Sequence, residues 1–223
     1  RSFARQLIKG NALWWFDMWG GWYADDDIMN EMATFKSIYE QSLTDADRSS
    51  KAEVAVFVDE SAYKYLTNCS LRNIFHTQRE QLGLMGTPYD IYDVYDFKAV
   101  YQNYKAVILL SSAKTTYMEN ARNLCKMNDV PYIMTSPLKE KFTVTELRAF
   151  CEANGVHIYC ETDDIIYVNE NYICIYAVTD GEKTLNIGKE RNINELLGGT
   201  YQGTEDSFTI KMQKGETRLF RLD

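Results

Sequence analysis

The sequence is poor in the two residues that most often mark loops and linkers. It has 3 prolines and 12 glycines among 223 residues, about 7% together against about 12% in average proteins. Disordered linkers and collagen-like repeats need far more of both residues. We therefore expect most of the chain to be folded.

Long apolar runs and an excess of positive charge are also missing. The longest aliphatic runs, residues 54–58 and 107–110, have strand length, whereas a membrane-spanning helix needs about 18 apolar residues. The 24 Lys and Arg are scattered and outnumbered by 32 Asp and Glu, which gives a net charge of −8. A broad nucleic-acid surface needs clustered positive charge. We predict no membrane insertion and no nucleic-acid partner.

Metal and redox motifs built on cysteine or histidine are absent as well. The five cysteines show no CxxC spacing, and the only two histidines are His76 and His157. An odd count with irregular spacing favours buried, reduced thiols over disulfides or a zinc site. We predict no metal, no cofactor and, since no signal peptide is visible, a cytoplasmic location. A first residue of Arg1 instead of Met indicates a piece of a longer protein.

Hydrophobic patterning divides the chain into residues 1–50, 51–165 and 166–223. The middle part alternates strand and helix, which is typical of a parallel sheet with helices on both faces. Its predicted strands are residues 53–59, 89–94, 105–111, 130–135 and 156–161. Five such strands predict an α/β, flavodoxin-like sheet in the order 2-1-3-4-5.

The last part changes to short strands with turns, which predicts a small antiparallel β domain. Its predicted strands are residues 165–168, 172–179, 183–188, 207–213 and 217–222. Asp180-Gly181 is a strong hairpin signal, and Lys214-Gly215 is a weaker one. About 58 residues give a marginal core, so we expect this domain to lean on the preceding one.

The first part predicts a helix, a strand, a loop and a second helix. Residues 2–9 show a short helical pattern, residues 12–18 form an aromatic strand candidate, and Gly20-Gly21 ends that strand. The second helix, from Asp25, carries one apolar stripe composed of Ile28, Met32, Phe35, Tyr39 and Leu43.

A ligand site in the middle part is expected at the switch point between the first and third strands. Four residues stand there: Asp59, Glu60, Ser111 and Ser112. Phosphate binding needs backbone N–H groups from a glycine- or serine-rich turn, whereas Asp59 and Glu60 present carboxylates. A phospho-acceptor receiver domain needs an Asp ending its third strand and a Lys ending its fifth, where Ser111 and Glu161 stand here.

Amidotransferase chemistry also lacks its residues. A class I glutamine amidotransferase needs a Cys on a glycine-flanked elbow with a His partner. Cys125 and Cys151 fall inside predicted helices, and both histidines fit structural positions better than catalytic ones. The middle part therefore predicts a doubly wound scaffold without its usual chemistry.

Residues 13–23 hold all four tryptophans of the chain, in the sequence LWWFDMWGGWY. On a strand, Trp15, Asp17 and Trp19 project to one side. A carboxylate between two indoles suits a sugar, whose CH faces stack on aromatic rings and whose hydroxyls donate to the carboxylate. The other interpretation is a hydrophobic strand whose Asp17 caps the following turn. Composition alone leaves both open.

This segment resembles the end of the barrel in family 42 glycoside hydrolases, the β-galactosidases and their relatives. Residues 1–4 and 15–23 are similar to the last helix, strand and helix of that (β/α)8 barrel. Weaker similarity follows in residues 52–59, 86–90 and 214–220. In the family, a flavodoxin-like, class I amidotransferase-like trimerisation domain and a small C-terminal β domain come after the barrel.

The resemblance implies a role for each part of the chain. Residues 1–50 would be the last barrel unit, 51–165 the trimerisation domain and 166–223 the C-terminal β domain. It also implies a homo-oligomer, a trimer, and a carbohydrate substrate for the full-length parent. Four residues would line the substrate mouth at the carboxyl end of the barrel: Trp15, Asp17, Trp19 and Trp22.

The catalytic residues of such an enzyme are not found in this chain. A retaining glycosidase needs two carboxylates about 5 Å apart. In this family they are glutamates at the ends of the fourth and seventh barrel strands, and the glutamate that acts as acid/base follows an Asn. The Asn-Glu pairs at residues 30–31, 169–170 and 194–195 end no predicted barrel strand, and a barrel needs about 250 residues. We expect a non-catalytic C-terminal region; the alternative is a free-standing flavodoxin-like module that binds a small ligand or regulates.

Overall fold

The computed structural model describes residues 1–65, 70–111, 113–136, 139 and 141–223. The helices are α1 (Ser2–Ile8), α2 (Asp26–Ser42), α3 (Ser70–Gly83), α4 (Phe97–Val100), α5 (Thr116–Met127) and α6 (Val144–Ala153). The strands are β1 (Val54–Val58), β2 (Tyr89–Asp93), β3 (Ala106–Leu110), β4 (Tyr132–Met134), β5 (Ile165–Val168), β6 (Tyr172–Tyr176), β7 (Gly181–Leu197), β8 (Gln202–Met212) and β9 (Thr217–Leu222).

The middle of the chain forms a parallel sheet of four strands in the order β2-β1-β3-β4. Its two central strands are aliphatic and buried on both faces, as parallel sheets require. One face packs against α3 and α6 through residues such as Val56, Ile108 and Leu147. The other face packs against α4 and α5 through Phe57 and Met118 among others. The predicted α/β class and the order of the first four strands are therefore confirmed.

The fifth predicted strand, residues 156–161, does not form. The prediction of a five-stranded flavodoxin-like sheet is therefore wrong, since the parallel sheet has four strands. This segment passes the amino-terminal ends of the parallel strands. Its backbone amides form hydrogen bonds there, but not with a strand of the sheet. The amides of Tyr159 and Cys160 donate to the carbonyl of Gly86 at 2.8 and 3.2 Å. Gly86 has φ +83°, and a Cβ there would stand 1.9 Å from the carbonyl oxygen of Cys160, so the approach depends on glycine.

The C-terminal part forms the expected antiparallel sheet, with five strands in the order β5-β6-β9-β7-β8. The hairpins predicted at Asp180-Gly181 and Lys214-Gly215 are wrong, because the strands that each turn joins are not neighbours in the sheet. Strand β9 lies between β6 and β7, and strand β7 lies between β8 and β9. The two turns bond to each other instead, since the amide of Lys214 donates to the Asp180 carboxylate at 2.7 Å. The long hairpin is β7 with β8.

The N-terminal part packs on this antiparallel sheet. Phe3 and Leu7 of α1 and Ile38 of α2 share one buried core with Cys174 and Leu219 of the sheet. The β domain therefore leans on the N-terminal helices as well as on the α/β unit.

The aromatic strand predicted at residues 12–18 is absent, because residues 11–17 have no regular secondary structure and pair with none of the described strands. A strand needs a neighbouring edge for its backbone bonds. Helix α2 begins as predicted, with the Asp25 carboxylate accepting from the amide of Ile28 at 3.0 Å. Its predicted stripe is only partly covered, since Ile28, Tyr39 and Leu43 remain exposed.

The described helices include none that is both long and apolar enough to cross a bilayer. Four cysteines are free and buried: Cys125, Cys151, Cys160 and Cys174. Burial raises the pKa of the Cys125 thiol to about 11, so it stays a protonated, unreactive thiol at neutral pH. Cys69 lies outside the described residues.

Candidate functional site

The tryptophan-rich segment lies on the surface of the molecule. The exposed fractions are 76% for Trp14, 81% for Trp19 and 52% for Trp22, whereas Trp15 is 41% exposed. Trp15 packs against the protein, because its ring stacks on the ring of Phe35 of α2 with 6.0 Å between the ring centres. The structure therefore separates one anchored indole from three that project into solvent.

Asp17 lies within this segment, directly before the bend at residues 18–20. One carboxylate oxygen accepts from the amide of Gly20 at 2.7 Å and the other from the amide of Trp22 at 3.0 Å. Of the two interpretations of Asp17, the structure shows the cap of the following turn. Each oxygen keeps a second lone pair, so the carboxylate retains capacity to accept from a hydroxyl.

The exposed tryptophans belong to a larger group of exposed apolar side chains that are close together in the sequence. Among the described residues, eleven of the fifteen exposed large hydrophobic side chains lie between positions 14 and 43. We call this set the aromatic face, and its members are Trp14, Trp15, Phe16, Met18, Trp19, Trp22, Tyr23, Ile28, Met29, Tyr39 and Leu43. Apolar groups concentrated in this way mark a surface that another protein element covers.

The switch point of the parallel sheet brings Asp59 and Ser111 to neighbouring strand ends, because Val58 stands opposite Leu110 in register. Asp59 is fully buried. One of its oxygens accepts from the amide and hydroxyl of Ser61 at 2.9 and 2.6 Å, and the other accepts from the Thr115 hydroxyl. This carboxylate joins the end of β1 to the N-terminus of α5.

Ser111 is buried and bonded in the same way. Its amide donates to the Thr135 hydroxyl at 2.8 Å, and its own hydroxyl donates to the carbonyl of Ala113 at 2.6 Å. Glu60 is exposed, and Ser112 lies outside the described residues. The polar groups of Asp59 and Ser111, which the sequence analysis considered for ligand binding, thus form hydrogen bonds within the protein.

A cavity of about 690 Å³ lies elsewhere, between the α/β unit and the antiparallel sheet. Its lining includes Arg5, Arg79 and Tyr89, from three separate elements. Sequence reasoning missed it because residues distant in the chain form it. The one available signal was the spacing of Arg1, Arg5 and Lys9, which places three cations on one side of a helix.

No protein-family model matches the chain, and no curated protein does. It is similar to the crystal structure of a β-galactosidase from Bacillus circulans sp. alkalophilus, with a TM-score of 0.57 and 14% identity, over 87% of this chain and 45% of that one. It is also similar to an apo exo-carrageenase GH42 from Bacteroides ovatus, with a TM-score of 0.51 and 11% identity, over 88% of this chain and 32% of that one. The chain spans less than half of either protein, and at these identities the likeness concerns the fold.

Proposed function

We propose that this chain is the C-terminal, non-catalytic region of a β-galactosidase-like glycoside hydrolase, where it serves oligomerisation and completes the sugar-binding mouth of a (β/α)8 barrel. The observation that carries the proposal is a shared architecture. A helical N-terminal part, a parallel α/β unit and an antiparallel β domain follow one another, and 87% of the chain superposes on a β-galactosidase. Tertiary structure persists where sequence identity has fallen to 14%.

The aromatic face supports this proposal. In a complete barrel, residues 11–17 would pair with a neighbouring strand, which explains why they lack one here. The remaining barrel would cover the exposed side chains of α2, Ile28, Tyr39 and Leu43. Without such a cover, an apolar surface of this size favours association between copies.

The sugar-binding part of the proposal rests on four residues of the aromatic face and its turn: Trp15, Asp17, Trp19 and Trp22. The exposed indoles of Trp19 and Trp22 offer faces for a sugar ring, and Asp17 keeps lone pairs for its hydroxyls. Asp17 also fixes the turn that presents Trp22. Strand ends at the carboxyl side of a barrel are the positions where substrates bind.

Two assays on the purified chain test the function. With a chromogenic galactoside we expect no turnover, because a retaining glycosidase needs a second carboxylate about 5 Å from the first and this chain contributes only one part of the mouth. Sustained turnover by the chain alone would contradict the proposal.

The second assay follows tryptophan fluorescence during titration with galactose. We expect weak quenching that is lost in Trp19→Ala and kept in Met127→Ala, a matched control because Met127 is equally exposed but lies outside the aromatic face. Equal quenching in both variants would remove the sugar-binding part of the proposal. The alternative, a free-standing ligand module at the switch point, has less support, since Asp59 and Ser111 use their polar groups within the fold and the cavity that Ser111 lines is about 330 Å³.

A further inference from the structure

The cavity of about 690 Å³ lies at a seam between the two sheets. One wall is β2, an edge strand of the parallel sheet, and the opposite wall is β5, an edge strand of the antiparallel sheet. Helices α1 and α3 supply the remaining sides. This volume lies within the range of pockets that hold small organic ligands.

The charges around the cavity are opposite in sign to the charge of the whole chain. Four cations line it, Arg1, Arg5, Lys9 and Arg79, against two carboxylates, Glu80 and Asp90. The chain as a whole carries −8. A local excess of two positive charges attracts anions to this cavity although the protein as a whole is acidic.

Two of the four cations are already engaged. The Lys9 ammonium pairs with the Asp90 carboxylate at 2.7 Å, and the Arg1 guanidinium lies 4.7 Å from the centre of the Tyr176 ring. Among the described residues, the side chains of Arg5 and Arg79, both exposed, have no hydrogen-bond or ion-pair partner. Guanidinium groups bind sulfate, phosphate and carboxylate through paired N–H donors.

Tyr89 adds a neutral donor between these charges. The pKa of its hydroxyl is raised to about 12, mainly by burial and to a smaller extent by Tyr167, while the charges of Arg5 and Arg79 act in the opposite direction. Tyr89 shares this cavity lining with both arginines. It stays protonated at neutral pH and is able to donate a hydrogen bond to an anion.

We propose that the cavity binds a small organic anion. Its phosphate, sulfate or carboxylate group is held by Arg5, Arg79 and Tyr89, and its carbon skeleton lies against the side chains of Ile91 and Tyr167. No residue of the aromatic face is in the lining given for this cavity, and the site does not depend on the function proposed above.

Calorimetric titration of the 223-residue chain tests the proposal at constant ionic strength in chloride. Phenyl phosphate is the probe, and inorganic phosphate is the comparison that lacks the carbon skeleton. We expect phenyl phosphate to bind more tightly than inorganic phosphate. Because charge-assisted hydrogen bonds are the strong ones, Arg5→Gln and Arg79→Gln should each raise the Kd at least tenfold, and Tyr89→Phe should raise it several-fold.

Arg48→Gln is the matched control, since Arg48 is exposed and lies outside the cavity lining, and its Kd should equal that of the original chain. Thermal melting of each variant shows whether it is folded, and we expect no loss because the substituted arginines support no described contact. No binding of phenyl phosphate, or equal binding by the Arg5, Arg79 and Arg48 variants, would overturn the site. Equal affinity for the two phosphates would overturn the organic part of the ligand.

Discussion

Asp59 accepts three hydrogen bonds in the interior and meets no described cation. Its donors are the amide and hydroxyl of Ser61 and the hydroxyl of Thr115. Thr115 in turn accepts from the amide of Met118, the first-turn bond of α5. A single carboxylate therefore fixes the end of β1, the following turn and the start of a helix.

We predict that Asp59→Ala lowers the free energy of unfolding by about 2–3 kcal/mol, because hydrogen bonds to a charged group are lost and buried donors are left unpaired. Glu60→Ala, at the exposed neighbouring position, should change it by less than about 0.5 kcal/mol. Urea denaturation of both variants measures the difference. Equal stabilities would show that Asp59 has no structural role and would reopen the switch point as a ligand site.

Residue roles were only partly predictable from the sequence. The position of Asp59 after a buried strand was evident, but its partner Thr115 lies 56 residues away in the chain, and no local pattern links the two. The sequence left two roles open for Asp17, sugar binding and turn capping, because both require a carboxylate. Only the bonds to Gly20 and Trp22 distinguish them.

Single elements were predicted best where the signal is local. Aliphatic runs gave β1 and β3, and α6 begins with a capping box of Thr143 and Glu146, a pattern that is local in the sequence. Elements that depend on a distant partner were predicted worst. The segment 156–161 has a strand-like composition but bonds to Gly86 outside any ladder, and the turn at Asp180 has a hairpin sequence although β9 takes the place of its expected partner.

Lys183 on β7 is another long-range feature. The alternating pattern of β7 gave no indication that this lysine is buried, yet its ammonium lies 2.8 Å from the Asp164 carboxylate with both side chains inaccessible. Thr179 accepts a further bond from the ammonium at 2.9 Å, and the amide of Val178 donates to Asp164 at 2.7 Å. This pair ties the start of β7 to the chain entering β5.

We predict that Lys183→Met destabilises the protein by about 3–5 kcal/mol, because Asp164 would remain as a buried charge without its partner. Lys211→Met is the control, since Lys211 is exposed on the adjacent strand β8, and it should be nearly neutral. Chemical denaturation followed by circular dichroism measures both. A similar small effect in the two variants would contradict the role given to the buried pair.

The capping box of α6 predicts a pH dependence. A hydrogen bond from Lys139, followed by bonds from the amide and hydroxyl of Thr143, lowers the pKa of Glu146 from 4.5 to about 2. A lowered pKa means that this group stabilises the fold above pH 4.5 and loses that effect as the pH falls toward 2. The difference in Tm between the original chain and Glu146→Gln should be constant from pH 7 to pH 5 and shrink below pH 4.5.

Glu152→Gln, at an exposed position of the same helix, is the control for this series. Its Tm difference should show no comparable decline below pH 4.5. A Glu146→Gln difference that stays constant down to pH 3 would contradict the assignment.

At the scale of the whole molecule, the three parts are joined by shared cores. Helices α1 and α2 cover one face of the antiparallel sheet, while Tyr159 and Cys160, from the end of the α/β unit, contribute to the core on its other face. The sequence divided the chain into parts but did not show this packing, because the contacts join its first residues to its last. Most of the exposed large hydrophobic side chains of the described residues belong to the aromatic face.

The mass of the purified chain in solution, measured by light scattering over a range of concentrations, tests the central claim most directly. If the chain is the assembly region of a glycoside hydrolase, with an α/β unit that trimerises and an aromatic face that favours association, the measured mass is three times that of one chain. A mass of one chain at the highest concentration would contradict the assembly role.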